Sequence, residues 1–347
     1  MRIGVLTTSF PRHAGDYAGS FVGDRVRQLL VDGHTVDVLA AGDGSAAPER
    51  EMHDQRLSVM RIAPDQSNLF YGEGAPEALE RGGPGLWLAA ARFSVLLAGA
   101  ARARAHRFDE IESHWLVPSA LAALAAAPDH RQRAFAHSGD VALLERIPFG
   151  RTIARRLARS RVTLHFVSAE LRSRFAALAG ARVGTVDALV PSAGDWAPRA
   201  GVDVVARGQY GVTRPVVLAV GRLVPIKGHD RLLRACARVQ ARGPGQAVEV
   251  VILGDGPERA RLGRLADQLG VSLRLPGFVP RDEVARWLHT ADVFVQSSIR
   301  MPNGRSEGAP FATAEARMVG IPILVESDVA RLAQGLQDRI HPNATGV

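Results

Sequence analysis

Two glutamates, Glu307 and Glu315, bracket the seven residues Gly308-Ala309-Pro310-Phe311-Ala312-Thr313-Ala314. Pro310 suits the first position of a helix, where a missing N–H costs nothing. The spacing therefore predicts Glu307 in the loop before a helix and Glu315 more than one turn inside it. The first amides of such a helix, near Ala309 and Phe311, lack intrahelical partners and favour a phosphate. A carboxylate on either side of an anion site suits a ligand with a diphosphate and hydroxyls at both ends. The plainer alternative is a helix carrying two solvated acids. Upstream, Gly221-Arg222-Leu223 and Lys227-Gly228 follow a strand-like run over 215–220. Two cations on a glycine-flanked loop at a strand's carboxyl end make a candidate diphosphate clamp. There Arg acts as a bidentate fork and Lys as a compact charge.

These residues need a frame to hold them. Between the clamp and the glutamates the chain reads as a strand over 248–253, a Gly254-Asp255-Gly256 turn and a helix. A short strand, the Pro276-Gly277 turn, another helix and a strand follow, which is one βαβαβ half of a doubly wound sheet. Upstream, strands are expected over 2–8, 35–40, 58–62, 110–113, 134–137, 163–168 and 184–188. A length of 347 residues with 46% hydrophobic content is enough for two cores. The expected fold is α/β, with two Rossmann-like doubly wound parallel-sheet domains. The first covers 1–190, a linker with Gly194, Pro198, Gly201 and Gly208 covers 191–214, and the second covers 215–347.

In order along the chain, several pieces resemble the retaining GT-B glycosyltransferases of glycosyltransferase family 4 (group 1). They are Gly221-Arg222-Leu223 with Lys227-Gly228, Gly254-Asp255-Gly256-Pro257, Pro276-Gly277-Phe278-Val279, Ala291-Asp292-Val293, and the Glu307/Glu315 pair with Gly320-Ile321-Pro322. The N-terminal half adds Gly19-Ser20-Phe21-Val22, Asp32-Gly33-His34-Thr35-Val36, Ile111-Glu112-Ser113-His114-Trp115 and His137-Ser138-Gly139-Asp140. Members that build bacterial exopolysaccharide look closest. The resemblance implies two domains facing a central cleft, with the acceptor on the first and a nucleotide-sugar on the second. The chain departs from the family at Val329-Ala330-Arg331-Leu332-Ala333-Gln334 and at Arg317-Met318. It also stops at Val347, where the family's final helices would follow.

The resemblance also implies roles. Arg222 and Lys227 would neutralise the diphosphate as the glycosidic bond breaks, an interaction that strengthens in the transition state. The helix start at Gly308, Ala309, Pro310 and Phe311 would share that task, and Gly221 and Gly254 would let the backbone come close. Glu315 would accept from ribose hydroxyls, and Glu307 from hydroxyls of the donor sugar. Gly277, Phe278 and Val279 would hold the base through their backbone, with UDP and GDP both open. His137 would bond a sugar hydroxyl, and its alternative is a strand-end histidine satisfied by backbone. His114 is a further candidate. Asp140 would reach donor or acceptor, or else cap a helix. Gly19 and Ser20 would approach the donor phosphate, or Gly19 would serve a tight turn. The expected activity is a hexosyl transfer from a nucleotide-sugar to a saccharide or polyprenyl-linked acceptor, with no metal, no cofactor and no protein base. A non-catalytic GT-B partner protein and a sugar-nucleotide epimerase are the alternatives.

Composition narrows the classes further. The net charge is +8, but no nucleic-acid module with interleaved aromatics is present. Arg146, Arg151, Arg155, Arg156, Arg159 and Arg161 lie around Ile153, Ala154 and Leu157, which makes a candidate basic amphipathic helix for anionic lipid. A solvated arginine-rich face is the alternative. The single cysteine, Cys236, fits a reducing cytosol. No leader is expected, because the chain opens with a buried-strand pattern, and no spanning segment, because Arg92 interrupts the apolar run 86–101 and the run 116–127 is too short. The expected location is the cytoplasm, with peripheral contact at the inner face of the membrane. The 11 histidines lack ligand spacing for a metal. A glycosidase reading of the two glutamates is rejected, because the Arg222/Lys227 clamp has no purpose there. A dinucleotide dehydrogenase is excluded, since the loop after the first strand lacks Gly-x-Gly-x-x-Gly.

Overall fold

The computed structural model describes every residue except 14–15, 17, 43–49, 53–54, 65–68, 72–74, 76–77, 80–81, 138, 188–195, 197–199, 244, 303, 305, 308–309 and 342–347. The chain divides into two units, Met1–Val190 and Pro191–Val347.

The first unit is built on strands β1 (Arg2–Leu6), β2 (Thr35–Gly42), β3 (Arg50–Met52), β4 (Leu57–Pro64), β5 (Glu110–His114), β6 (Gln132–Ala136), β7 (Thr163–Phe166) and β8 (Thr185–Val186). Their spatial order is β3-β4-β2-β1-β5-β6-β7-β8. All seven expected strands are present and pair in parallel. Strand β3 pairs antiparallel on the edge of β4. Three residues are too few for a periodic pattern, so the sequence reading missed it. Both faces are covered, which is why β1 and β2 read as continuous apolar runs. The helix Pro84–Arg104 crosses from β4 to β5. Contrary to expectation, Arg92 does not interrupt it. Extended to Arg107, it is long and apolar enough by composition to cross a membrane. Its Phe93, Leu97 and Ala101 are buried in the core of this unit.

In the second unit β9 (Val216–Val220), β10 (Glu249–Leu253), β11 (Ser272–Gly277), β12 (Val293–Gln296) and β13 (Ile323–Val325) lie in the order β11-β10-β9-β12-β13, all parallel. The order reverses direction between β9 and β12, and that crevice is where open α/β sheets bind ligands. One face buries Leu232, Leu233 and Cys236 of the helix His229–Gln240, and burial pushes the Cys236 thiol up to about 12. The other face buries Trp287, Leu288, Ala316 and Val319.

Part of the stretch expected as a linker, 191–214, packs against the second unit. Trp196 is 3% exposed and belongs to the second core. The helix Val204–Gln209 is capped by the Asp203 carboxylate, which accepts from the Ala206 N–H at 3.0 Å. Tyr210 stacks on Trp287 with centroids 4.1 Å apart. Aromatic anchors override the Gly/Pro punctuation that suggested a loose segment. Arg317, which departs from the family on the glutamate helix, is exposed to solvent, so its charge is not buried.

Candidate active site

The crevice of the second unit forms where strand ends come unusually close. Beyond the sheet, the Gly221 N–H donates to the Leu253 carbonyl at 2.9 Å, and the Leu223 N–H donates to the Asp255 carbonyl at 2.8 Å. The Gly254 N–H donates to the Gly277 carbonyl at 2.8 Å. Gly254 has φ of 139°, and a Cβ there would meet the Gly221 carbonyl oxygen at 2.2 Å. The turn Pro225–Lys227 then leads to Gly228, where φ is 63° and a Cβ would meet the Ser297 carbonyl oxygen at 2.2 Å. So the loop after β9 packs against the loop after β12 through backbone that only glycine allows.

That packing brings the expected residues together. Lys227 Nζ lies 2.5 Å from Glu307 Oε1. The second carboxylate oxygen accepts from Gln296 Nε2 at 2.7 Å and from the Ser298 hydroxyl. Gln296 ends β12, and Ser297, whose hydroxyl donates to the Lys227 carbonyl at 3.0 Å, ties the two loops. Burial alone would raise the Glu307 carboxyl, but the Lys227 ammonium and the Ser298 hydroxyl outweigh it and hold the group below its ordinary range. The ammonium has three donors, so the ion pair leaves others for a ligand. Arg222 is half-buried on the same loop. His229, the first residue of the helix that follows Lys227-Gly228, is driven down to about 4 by burial and then by the Lys227 charge, so it is neutral at physiological pH.

Glu315 is carried by the helix Phe311–Val319. Pro310 does not occupy the first helical position as expected. It is the extended residue before the helix, and its carbonyl accepts from the Thr313 N–H at 3.0 Å. The helix starts one residue later because Pro310 has ψ of 122°, outside the helical range. Gly308 and Ala309 lie outside the described residues. Glu315 Oε1 is 3.7 Å from the guanidinium of Arg281, which sits 5.0 Å over the Trp196 ring. Arg281 opens the helix Arg281–Thr290, directly after the Gly277-Phe278-Val279 loop. In that loop Gly277 has φ of 89°, Phe278 is exposed and Val279 packs on the core.

The first unit gathers the other candidates, again where strand order reverses, between β1 and β5. Gly19 stands before the helix Ser20–Val31 at φ of 69°, and a Cβ would meet the Ser9 carbonyl oxygen at 2.4 Å. Ser20 is exposed as the first helical residue. The next residue, Phe21, packs on His114, Trp115 and His137. His114 is fully buried, and its Nδ1 lies 3.2 Å from His137 Nε2. Burial and then the nearby His114 hold the His137 imidazole well below its ordinary range, so it is neutral at physiological pH. The Asp140 carboxylate is used by the backbone. It accepts from the N–H groups of Leu116 at 2.8 Å, His137 at 3.1 Å and Val141 at 2.9 Å. Burial pushes it up to about 6 against the pull of those amides. Its placement favours holding the β5 and β6 ends over touching a ligand.

Sequence reasoning did not assign roles to Gln296, Ser298, His229 and Arg281 in the second unit, or to Arg25, Glu112 and Trp115 in the first. Trp115 has φ of 78°, a strained value for a residue with a side chain that costs roughly 1–3 kcal/mol. A tryptophan directly after a strand-end histidine was the one visible signal. On the helix Gly150–Arg159, Arg151, Arg155, Arg156 and Arg159 are exposed while Ala154 and Leu157 are buried, and the exposed Phe149 precedes them.

Residues 206–343 match the family described as "Glycosyl transferases group 1". A GDP-mannose-dependent alpha-(1-6)-phosphatidylinositol monomannoside mannosyltransferase of Mycolicibacterium smegmatis is 33% identical over 184 residues, 51% of this chain and 47% of the relative. The putative colanic acid biosynthesis glycosyltransferase WcaL of Salmonella typhimurium is 36% identical over 144 residues, 39% of this chain and 35% of the relative. The chain thus spans about half or less of the length of these curated relatives. Sucrose-phosphate synthase from Thermosynechococcus elongatus superposes with a TM-score of 0.70 at 15% identity, over 99% of this chain and 90% of that one. The fold is GT-B.

Proposed function

We propose that this chain, with a glycosyltransferase group 1 domain over 206–343 on a GT-B fold, is a retaining family 4 glycosyltransferase. It would move a sugar from a nucleotide diphosphate sugar to a glycan or lipid-linked saccharide. The observation that carries this reading is the Lys227–Glu307 pair, held by Gln296 and Ser298 where the second sheet reverses order. A fixed cation and an ionised carboxylate side by side match the two ends of a sugar diphosphate.

In this reaction the bond from the sugar's anomeric carbon to the diphosphate oxygen breaks, and the nucleoside diphosphate leaves. The acceptor hydroxyl bonds to the same face of that carbon, and its proton passes to the leaving phosphate. Arg222 and Lys227 stabilise the charge that grows on the diphosphate, so no metal or protein base is invoked. Glu307 accepts from the sugar's hydroxyls, Glu315 from the ribose, and His137 bonds a sugar hydroxyl. Backbone at Gly221, Gly254 and Gly277 lets the nucleotide approach. Polysaccharide or lipid-linked glycan assembly is the setting suggested by the names of the relatives. Contact with anionic lipid at the cytoplasmic face would come through Arg151, Arg155, Arg156 and Arg159, with Phe149 as the apolar anchor.

Calorimetric titration with GDP and UDP tests the donor site. GDP, named for one relative, is expected to bind, and Lys227→Ala and Glu315→Ala to lose that binding. A folded chain that binds neither nucleotide would refute the reading. Sedimentation with vesicles of anionic and of neutral lipid tests the basic helix, since equal partitioning would exclude its role.

A further inference from the structure

A chain of hydrogen-bonding groups in the first unit ends at His137. Arg25, on the helix Ser20–Val31, forks both oxygens of the Glu112 carboxylate, with Nε and Nη2 each at 2.9 Å. Glu112 Oε1 lies 3.3 Å from His114 Nε2, and His114 Nδ1 lies 3.2 Å from His137 Nε2. Both Glu112 and His114 are fully buried on β5. The His114 ring packs on Phe135 with centroids 5.3 Å apart and lies edge to edge with His137, 21° from coplanar with centroids 5.4 Å apart, so neither imidazole can turn freely. Also facing this chain among the described residues are Arg133, 3.4 Å from Glu112 and also paired with Glu110, His165 stacked beyond Phe135, Phe21 and Trp115. The Asp140 carboxylate faces it too and accepts from the His137 backbone N–H at 3.1 Å.

We infer that Glu112 and His114 are positioning residues that hold His137 in a single tautomer, with its proton on Nε2 and its Nδ1 lone pair offered to a substrate hydroxyl. The direction follows from the acceptor at the far end. A carboxylate held by a guanidinium only accepts, so the buried His114 Nε2, which faces Glu112 at 3.3 Å and makes no other hydrogen bond among the described residues, carries the ring's proton. With that single proton the His114 ring has a lone pair on Nδ1, and His137 donates to it from Nε2. His137 Nδ1 is left as an acceptor. If His114 takes a second proton the order reverses, and the substrate-facing nitrogen becomes a donor. This rests on the reading that His137 meets a sugar hydroxyl.

The test is a two-bond proton–nitrogen correlation spectrum of the full chain with labelled histidine, with His137 assigned through His137→Gln. The expected spectrum shows one His137 form, protonated at Nε2. Glu112→Gln and His114→Phe should each give mixed tautomers, while His114→Asn, whose Oδ1 falls near the Nδ1 position, should retain the single form. His114→Phe keeps the stack on Phe135, so it decides the matter if Glu112→Gln does not fold. A wild-type His137 protonated at Nδ1, or one Nε2 form unchanged in both disrupting variants, overturns the inference. With a turning-over nucleotide-sugar, the disrupting variants should lower kcat roughly tenfold, the worth of one hydrogen bond, with donor KM little changed. The spectrum reads the relay without turnover. A chain that shows the expected tautomers yet transfers no sugar would therefore sink the glycosyltransferase reading and leave the relay standing.

Discussion

Buried charge has two different consequences in the two units. At Glu112, burial alone would raise the carboxyl, but hydrogen bonds from His114 and Arg25 together with the Arg25 charge bring it from 4.5 down to about 2. A folded pKa below the unfolded one means the stabilisation is complete above about 4.5 and is lost as pH falls toward 2. That difference corresponds to roughly 3 kcal/mol. Urea unfolding between pH 5 and pH 2 should show this loss, and in Glu112→Gln the pH slope should shrink by about that amount. A slope unchanged in the variant would rule out Glu112 as its source. At Lys227 and Glu307 the pair is only partly shielded, with side-chain exposures of 14% and 20%. Lys227→Met should therefore cost roughly 2 kcal/mol, less than a fully buried pair, because Glu307 keeps only neutral partners. Adding Glu307→Gln should restore most of the loss, and additive costs in the double-mutant cycle would argue against the pairing. The Lys227 and Glu307 side chains were legible in the sequence because each sits in its own short motif. Their supports were not. Arg25 and Glu112 are separated by 87 positions, and nothing local marks either as the other's partner.

At the scale of elements, the site depends on glycines that let strand ends touch. The sequence showed Gly221, Gly254 and Gly277 as turn residues, and the structure gives Gly254 a stricter purpose. Gly254→Ala would place a methyl 2.2 Å from the Gly221 carbonyl oxygen at φ of 139°. Backbone strain and overlap together should cost about 3 kcal/mol and weaken nucleotide binding, because the clamp loop must shift. Gly270→Ala is the matched control. Its φ is 64° as a helix cap, but nothing lies within 4 Å, so the cost should be about 1 kcal/mol with binding intact. Equal effects of the two changes on denaturation midpoint and on binding would refute the close-approach argument. The strands themselves were legible to within a residue or two, since buried parallel strands read as unbroken apolar runs. Edges of elements were less so. Pro310 shows why, because proline fixes φ but leaves ψ to decide whether the helix has begun.

At the scale of the whole molecule, length and alternation pointed to two α/β cores, and composition alone did not show the aromatic contacts made by the residues that join them in sequence. Glycines and prolines over 191–214 suggested a loose connection, but Trp196 and Val212 of that stretch are buried in the second core and Tyr210 packs against it. Trp196 is buried beneath the Arg281 guanidinium, Arg207 Nη1 meets Asp292 Oδ1 at 3.1 Å, and Tyr210 covers Trp287. Losing a buried tryptophan alone costs about 3–5 kcal/mol, and a domain's entire stability is only about 5–15 kcal/mol. A fragment of residues 191–347 retains cores on both faces of its sheet and should unfold cooperatively in urea. A fragment of residues 215–347 lacks Trp196, the capped helix and Tyr210, and should be marginal or unfolded at room temperature. The same comparison bears on Glu315. Trp196 supports the arginine that faces it, so the shorter fragment should lose nucleotide binding even in conditions that restore its helices. Matching urea midpoints and affinities for the two fragments would return 191–214 to the role of a simple linker.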